Sequence, residues 1–384
     1  MIGQDRKQWG TTPWTYERVP QRGGQVEAAQ VAIIGGGFTG ASTAYHLAKR
    51  GISAAIFEAS RIGEGASGRT GGLVLEGTAA GPLEQADSCV PELDRLVKAE
   101  AIDCGLRLPG CWEIEHGAGH NQRLLPWQDA GQPIHIANTV SGGVVEPARL
   151  LIGLLRAAIG LGATLHENTP VRRIVTTPQP AIEFGRQVVY PEYIVVAANA
   201  WLSELLPLEH VNVHSSLTFA CATQPLDAAT LQAIGLAEGI PFYTTDLPYL
   251  WGRTMDDGRV VFGAGLVFGS PQELEASDVN RGSPRAALAQ LEDRVRGLHP
   301  GLRKVEFSAS WGGPIAFTED AVPLLGRLPD RPTVIVAGAY AGHGVALSVH
   351  AGRLAARAIV EGAELPRWGA LDRRPPRRRR RWRR

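Results

Sequence analysis

A glycine-rich turn between two short apolar runs constrains the fold more than any other feature of this sequence. The turn reads Gly35-x-Gly37-x-x-Gly40. It follows the β-branched run VAII and precedes ASTAYHLAKRG, whose apolar residues recur at helical spacing. A second apolar run, SAAIFE, ends at Glu58. Strand, turn, helix and strand in about thirty residues predict one βαβ unit with a right-handed crossover.

The same turn suits a ligand that carries phosphates. The first glycine permits the tight turn, the second lets a pyrophosphate approach the backbone, and the third lets helix and strand pack closely. The helix N-terminus supplies N–H groups and a partial positive charge. Glu58, about twenty residues on, is placed to accept a hydrogen bond from a ribose hydroxyl. The motif therefore predicts a dinucleotide site that also includes Phe38, Thr39 and Ala59.

A second glycine-rich loop distinguishes between the possible dinucleotides. After Glu58 the chain continues as RIGEGASGRTGGLV and does not enter another obvious helix of a nicotinamide domain. This combination resembles the family of FAD-dependent amine and amino-acid oxidases that includes D-amino-acid oxidase, glycine oxidase and sarcosine oxidase. In that family a second Gly/Ser/Arg loop lies along the flavin pyrophosphate and ring. The resemblance assigns this role to Ser67, Gly68, Arg69, Thr70, Gly71 and Gly72.

Later motifs extend the resemblance over about residues 27–362. The segment VRRI is similar to the family's adenine-side strand, with Val171 at a backbone contact to the nucleotide. YIVVAANAW is similar to a third flavin motif, with Ala198 on its turn. WGGPIAFTEDAVPLLGRL and AGAYAGHGVALSVHAGRLAA are similar to two C-terminal motifs. SGRTGG together with WGGPIAFTEDAVPLLG indicates the γ-glutamylputrescine oxidase subgroup.

The last motif also has a physical interpretation of its own. Gly342-His343-Gly344 precedes a helix that starts at about Val345. The N–H groups of that helix would point at flavin N1 and the C2 carbonyl, which gain negative charge when the ring is reduced. Glycine is needed there because a side chain would collide with the ring plane. The alternative interpretation is an ordinary N-cap turn.

The resemblance implies an α/β fold with two domains. The Rossmann-like FAD-binding domain is expected to be discontinuous and to gather residues 27–80, 140–205 and 311–362. An inserted antiparallel β-sheet domain is expected to bind the substrate and to gather residues 81–139 and 206–310. Residues 1–26 are predicted to form an extended N-terminal arm, and residues 363–384 a disordered basic tail.

Departures from the family pattern limit the chemistry. Some relatives attach the flavin to a cysteine, but the segment 311–316 has none, so we expect noncovalent FAD. Glycine oxidase carries an arginine there for the substrate carboxylate, and Ile315 stands at that position. Sarcosine oxidases use a lysine that helps oxygen to react, and Val261 stands at the matching position. The chain has four lysines and no evident replacement, so oxygen and another electron acceptor both remain open.

Candidate catalytic residues come from two segments. Tyr249 and Arg253 belong to a strand expected to floor the substrate domain, whereas Tyr340 and His343 are expected beside the flavin. Asp246 is a candidate partner for an amine. Each has an ordinary structural alternative: half-buried packing for Tyr249, a solvated hairpin charge for Arg253, and a hydrogen-bonded turn residue for His343.

The resemblance implies a flavin-dependent oxidation of the C–N bond of a primary or secondary amine. The substrate would be a γ-glutamylputrescine-like amine or amino acid, with oxygen as acceptor and hydrogen peroxide as product. One alternative is a dehydrogenase of the same fold that passes electrons to a quinone or an electron-transfer protein. A second alternative is a regulatory or nucleic-acid-associated flavoprotein that acts through its basic tail.

Charge and cysteine usage exclude several other classes. The last twelve residues hold nine arginines, and the remainder has 30 basic and 38 acidic residues, so a generally basic protein is excluded. We expect no functional nucleic-acid contact through the tail. Four cysteines without a CxxC pair indicate a reducing, cytoplasmic location. No metal site and no membrane span are predicted, because histidines lack ligand spacing and glycines interrupt the uncharged stretch 31–48.

Overall fold

The computed structural model describes residues 7–20, 29–86, 88–120, 122–176 and 178–373. The strands in these ranges are β1 (Val31–Ile34), β2 (Ala54–Phe57), β3 (Leu73–Leu75), β4 (Cys111–His116), β5 (Leu124–Asp129), β6 (Gln132–Val140), β7 (Gly142–Val144), β8 (Thr164–His166), β9 (Val171–Val175), β10 (Ala181–Phe184), β11 (Gln187–Val189), β12 (Tyr193–Val196), β13 (Val213–Thr223), β14 (Phe242–Thr244), β15 (Trp251–Thr254), β16 (Val260–Phe268), β17 (Phe307–Thr318), β18 (Leu324–Leu328) and β19 (Arg331–Gly338). The α-helices are α1 (Phe38–Ala48), α2 (Ala66–Arg69), α3 (Cys89–Ala99), α4 (Pro147–Gly160), α5 (Leu202–Leu205), α6 (Ala228–Ala233), α7 (Pro271–Ala276), α8 (Gly282–Leu298) and α9 (Gly344–Val360).

A six-stranded sheet carries the glycine-rich turn. Its strand order is β18-β19-β12-β1-β2-β8, and β1 pairs in parallel with β2 and with β12. All four residues of β1 are buried, as expected for a β-branched strand covered on both faces. Helix α1 joins β1 to β2 and contacts α4 and α9. This sheet confirms the predicted Rossmann-like α/β fold.

An eight-stranded sheet forms the second large layer. Its order is β17-β13-β16-β15-β14-β4-β6-β5. Neighbouring strands are antiparallel except β4 and β14, which run parallel and bring Glu113 opposite Tyr243. Helix α8 contacts β13 and β16, and its Leu288 and Leu291 are buried in a core shared with Phe262. The second sheet therefore has its own core.

Strand β17 corrects the domain boundary expected at residue 311. It pairs with β13 from Phe307 to Thr318 without a break at that position. The residues from 311 to 318, expected in the FAD-binding domain, therefore belong to the eight-stranded sheet. The physical reason is that backbone hydrogen bonds pair these residues with β13 along one antiparallel ladder.

Both ends of the described chain pack onto the body. Trp9 is fully buried and donates from its indole N–H to the carbonyl of Leu274 at 2.9 Å. Near the other end, Leu371 is buried and the Arg373 guanidinium pairs with Asp320 at 3.3 Å. The prediction of a disordered tail from residue 363 is therefore wrong for 363–373. The arginine-rich remainder, 374–384, lies outside the described residues.

Candidate active site

A large cavity lies between the glycine-rich turns and the eight-stranded sheet. Its volume is about 2560 Å³, and its wall includes Gly37 and Ser67 from one side and Tyr243 and Trp251 from the other. Sites for drug-sized ligands measure about 300–1,000 Å³. The cavity therefore has room for a dinucleotide together with a small substrate.

The first turn has the close approach that its sequence predicts. Gly35 has φ +106°, a conformation that favours glycine, and a Cβ on Gly40 would lie 2.0 Å from the carbonyl oxygen of Gly35. Helix α1 begins directly after the turn, and Gly37, Phe38 and Thr39 line the cavity. The helix N-terminus, with its partial positive charge, therefore borders the space where phosphates would bind.

Glu58 follows the carboxyl end of β2 beside this turn. Its Oε2 accepts from the backbone N–H of Gly36 at 2.8 Å, and its Oε1 accepts from the N–H of Ser60 at 3.0 Å. Each carboxylate oxygen can accept a further hydrogen bond. The position therefore fits a ribose hydroxyl, although Glu58 is not on the cavity wall.

The second glycine-rich loop is fastened to the first. The Ser67 hydroxyl accepts from the N–H of Phe38 at 3.0 Å. The Arg69 guanidinium donates to the carbonyls of Trp9, Gly10 and Gly312 at 3.1–3.3 Å. Arg69 thus connects the second glycine-rich loop to the N-terminal arm and to β17, so the loop has a fixed position on the cavity wall.

The turn before α9 contains several residues in the left-handed region. Ala339 has φ +58°, Ala341 φ +50° and Gly342 φ +92°. Such strain persists only where surrounding contacts enforce it, and it concentrates at functional sites. Here the N–H of Ala339 donates to the Asn199 side chain at 3.0 Å, and the Tyr340 and Thr39 hydroxyls lie 2.8 Å apart.

Most of the predicted site residues share the cavity wall, but some do not. Those on the wall are Gly37, Phe38, Thr39, Ser67, Arg69, Thr70, Gly71, Tyr249, Tyr340, Gly342, His343, Gly344 and Val345. The predicted residues away from the wall are Gly35, Gly40, Glu58, Ala59, Gly68, Gly72, Val171, Ala198 and Arg253. Gly35 and Gly40 do not line the cavity but allow the close backbone contact that shapes the turn.

His343 lies on the wall immediately before α9. Burial lowers the pKa of its imidazole to about 4, against the opposing effects of the Ala341 backbone and of Glu113. Its Nδ1 is buried and has no hydrogen-bond partner among the described residues. At neutral pH the ring is therefore uncharged and retains an unused polar atom.

Arg253 occupies a different place from the one expected. Its side chain is buried, stacks 5.1 Å from the Trp14 ring and donates to the carbonyl of Val145 at 2.6 Å. Burial lowers the pKa of Arg253 to about 10. It neither touches the cavity nor forms a solvated hairpin pair, because the arm covers it. Its position supports a structural role.

Sequence reasoning missed two cavity residues near His343, namely Tyr243 and Glu113. The centroid of the Tyr243 ring lies 6.2 Å from that of the His343 ring, and the Tyr243 hydroxyl donates to Glu113 Oε1 at 2.6 Å. Burial, followed by the nearby Glu113 carboxylate, raises the pKa of Tyr243. The two residues are 130 positions apart, so no local pattern could pair them.

A second polar cluster fixes the loop that carries Tyr249. The His116 ring contacts Asp129 at 3.0 Å and Asp246 at 2.9 Å. Arg294 donates to Asp129 and to the carbonyl of Tyr249. Burial opposes ionisation of Asp129, but Arg294 and His116 outweigh it and hold its pKa below the usual range. Asp246, a predicted amine partner, lines the cavity but is already paired.

Comparison with known proteins identifies the family. Residues 30–358 match the family model for FAD dependent oxidoreductase, DAO. The chain belongs to the DAO family of FAD-dependent oxidoreductases. It is 26% identical to "Probable oxidoreductase OrdL" of Haemophilus influenzae, over 88% of this chain and 84% of that protein. It is 27% identical to gamma-glutamylputrescine oxidoreductase of Escherichia coli, over 87% of this chain and 84% of that protein.

Solved structures agree on the fold of this DAO-family chain. Glycine oxidase from Geobacillus kaustophilus superposes with a TM-score of 0.71 at 22% identity, covering 89% of this chain and 98% of that one. The residues present fit FAD: the α1 N-terminus and the Gly40 contact would accommodate the pyrophosphate, Glu58 the ribose, and the turn before α9 the ring. This enzyme is therefore an FAD-dependent oxidoreductase.

No group of three or more histidine, cysteine or acidic side chains among the described residues could hold a metal ion. None of the helices in the described ranges is both long and apolar enough to cross a membrane.

Proposed function

We propose that this enzyme oxidises the C–N bond of a primary or secondary amine, a γ-glutamylputrescine-like amine or amino acid, to an imine. Water then hydrolyses the imine to a carbonyl compound and releases the nitrogen as ammonia or an amine. The observation that carries the proposal is the contact between His343 and Tyr243, which joins the flavin motifs to the second sheet in one cavity.

Bound FAD would supply the acceptor for a hydride from the carbon next to the nitrogen. The chain's own residues prepare the substrate for that step. Desolvation of a bound substrate would disfavour its ammonium form, and only the neutral amine has a lone pair that can expel hydride. His343 is uncharged at neutral pH and adds no positive charge that would repel an incoming cation. The hydrogen bond between the Tyr340 and Thr39 hydroxyls holds the turn before α9 against α1.

Noncovalent attachment of FAD forms part of the proposal. The cysteines Cys89, Cys104, Cys111 and Cys221 are all buried free thiols. None of them lies on the cavity wall, which supports noncovalent attachment. Burial raises the pKa of the Cys104 thiol to about 11, which keeps it unreactive. Free thiols are also consistent with the reducing cytoplasmic location that we propose.

The electron acceptor defines a second candidate function. We propose oxygen, with hydrogen peroxide as the product. A dehydrogenase is favoured by one observation: among the lysines with described side chains, Lys49, Lys98 and Lys304, none lines the cavity. Val261 lies in a closed apolar cluster away from the wall. Peroxide released in air-saturated buffer supports the oxidase. Turnover with a quinone but not with oxygen would show a dehydrogenase.

The visible spectrum of the purified protein tests the main proposal. We expect a two-band flavin spectrum that is bleached by anaerobic addition of an amine. Precipitation with acid should release the flavin into the supernatant if it is noncovalent. A protein that remains colourless after incubation with FAD, or a bound flavin that no amine or amino acid bleaches, would contradict the proposed function.

A further inference from the structure

Glu113 differs in its charge environment from the other carboxylates on the cavity wall. Its Oε1 accepts from the Tyr243 hydroxyl and its Oε2 from the Asn138 amide at 3.2 Å, and both of these donors are neutral. No lysine, arginine or histidine of the described residues forms a salt bridge with it. Asp129 pairs with Arg294 and Asp293 with Arg296, Glu76 accepts from the N–H of Cys89 at the start of α3, and Asp246 is held by the ring and the backbone N–H of His116.

The arginines on the wall are already engaged by protein groups. Arg69 donates to three backbone carbonyls. Arg294 donates to Asp129 and to carbonyls of 248–249. Ile315, on the same wall, is apolar. The described wall thus offers an uncompensated negative charge and no comparable positive group for a substrate carboxylate.

We propose that Glu113 binds the ammonium group of the incoming substrate, takes up one of its protons so that the neutral amine can be oxidised, and selects amines that lack a carboxylate on the nitrogen-bearing carbon. This inference rests on the proposed function and narrows its substrate to alkylamines. Tyr243 is a positioning residue, because its hydroxyl fixes the carboxylate beside His343. The buried Nδ1 of His343, which has no partner among the described residues, supplies a polar atom next to the same space.

Unreactive probes test the charge preference separately from catalysis. tert-Butylammonium has no hydrogen on the carbon beside nitrogen and cannot be oxidised there, and pivalate has the same shape with a negative charge. We expect the FAD-loaded enzyme to bind the cation at least about tenfold more tightly than the anion, measured by flavin absorbance and by the shift in Tm. Equal binding, or preference for pivalate, would overturn the proposal.

Substitutions on β4 provide the matched comparison. Glu113→Gln should weaken tert-butylammonium binding about tenfold or more, and Glu113→Asp should restore the preference for the cation. The control is Glu115→Gln on the same strand, because Glu115 accepts from Thr245 at 2.6 Å and is not on the wall. Unchanged cation binding by folded Glu113→Gln would overturn the proposal. If that variant does not fold, the wild-type comparison of the two probes decides.

A pair of reactive compounds separates this inference from the proposed function. n-Butylamine and norvaline share the same alkyl chain, and norvaline adds a carboxylate to the nitrogen-bearing carbon. Faster anaerobic bleaching by n-butylamine supports both proposals. Faster bleaching by norvaline would overturn the role of Glu113 and leave amine oxidation intact. Bleaching by neither compound, nor by the wider amine panel, with the cation preference intact would support Glu113 and contradict the proposed function.

Discussion

At the scale of single residues, His343 illustrates how burial controls charge at the candidate site. Its folded-state pKa is about 4, below the value of about 6.5 for a histidine in an unfolded chain. The unfolded chain therefore binds more protons between these values, and the folded state loses stability as pH falls. The burial that causes this loss of stability in acid also keeps the His343 ring neutral beside the proposed ammonium site.

Replacement of His343 should remove this acid-sensitive contribution. Between pH 7 and pH 5 the wild type is expected to lose about 2 kcal/mol more in free energy of unfolding than His343→Asn. Urea unfolding at the two pH values, at one FAD concentration, measures the difference. The exposed His120 supplies the control, since His120→Asn should follow the wild type. Equal losses in wild type and His343→Asn would show that the folded ring titrates normally.

At the scale of secondary-structure elements, the turn between β1 and α1 was the most predictable part of the molecule. VAII, the glycines and the helical spacing are adjacent in sequence, and the observed β1, α1 and β2 confirm the predicted unit. The pairing of Glu113 with Tyr243 could not be predicted in this way. It requires parallel pairing of β4 with β14, which are far apart in the chain. The extent of β17 was missed because its residues were assigned by motif and not by strand pairing.

One substitution in this turn should test whether the close contact between Gly40 and Gly35 is needed for FAD binding. A Cβ at position 40 would overlap the Gly35 carbonyl, so Gly40→Ala must push α1 away from β1. We expect FAD to bind at least about tenfold more weakly, measured by titration of flavin-free protein. The matched control is Gly297→Ala in α8, where an added Cβ meets nothing within 4 Å.

The control should behave differently for a known reason. Alanine has a higher helix propensity than glycine, so Gly297→Ala should stabilise the protein by up to about 1 kcal/mol without changing FAD affinity. Wild-type FAD affinity in Gly40→Ala would mean that the close contact is not required for cofactor binding.

At the scale of the whole molecule, the packing of both chain ends was the least predictable feature. Trp9 and Leu371 have no local pattern that marks them as buried, because their partners are hundreds of residues away or on another layer. Composition alone suggested an extended arm and a disordered tail. The described residues 7–20 and 363–373 instead contact the body, and only distant contacts explain why.

Two truncations of the C-terminus should therefore differ sharply. Removal of 374–384 should leave flavin content and Tm unchanged. Removal of 363–384 also deletes Leu371 and leaves the buried Asp320 side chain without Arg373. We expect this to lower the free energy of unfolding by about 3 kcal/mol or more. Thermal unfolding of the two proteins measures the contrast. Equal Tm values would contradict the structural role of 363–373.

The shorter truncation also tests the nucleic-acid alternative. Salt-dependent binding of DNA by the full chain that disappears without 374–384 would support it. We expect neither protein to bind DNA at physiological salt, because the remainder of the chain is acidic.

The contacts of Arg69 have a consequence for the order of events during synthesis. The guanidinium needs carbonyls from residues 9, 10 and 312, and the turn before α9 comes later still. A ribosome must therefore translate most of the chain before the flavin loop can reach its final position. Although the first phosphate-binding turn emerges early, the cofactor can be secured only at the end of translation, so flavin incorporation is a late step in maturation.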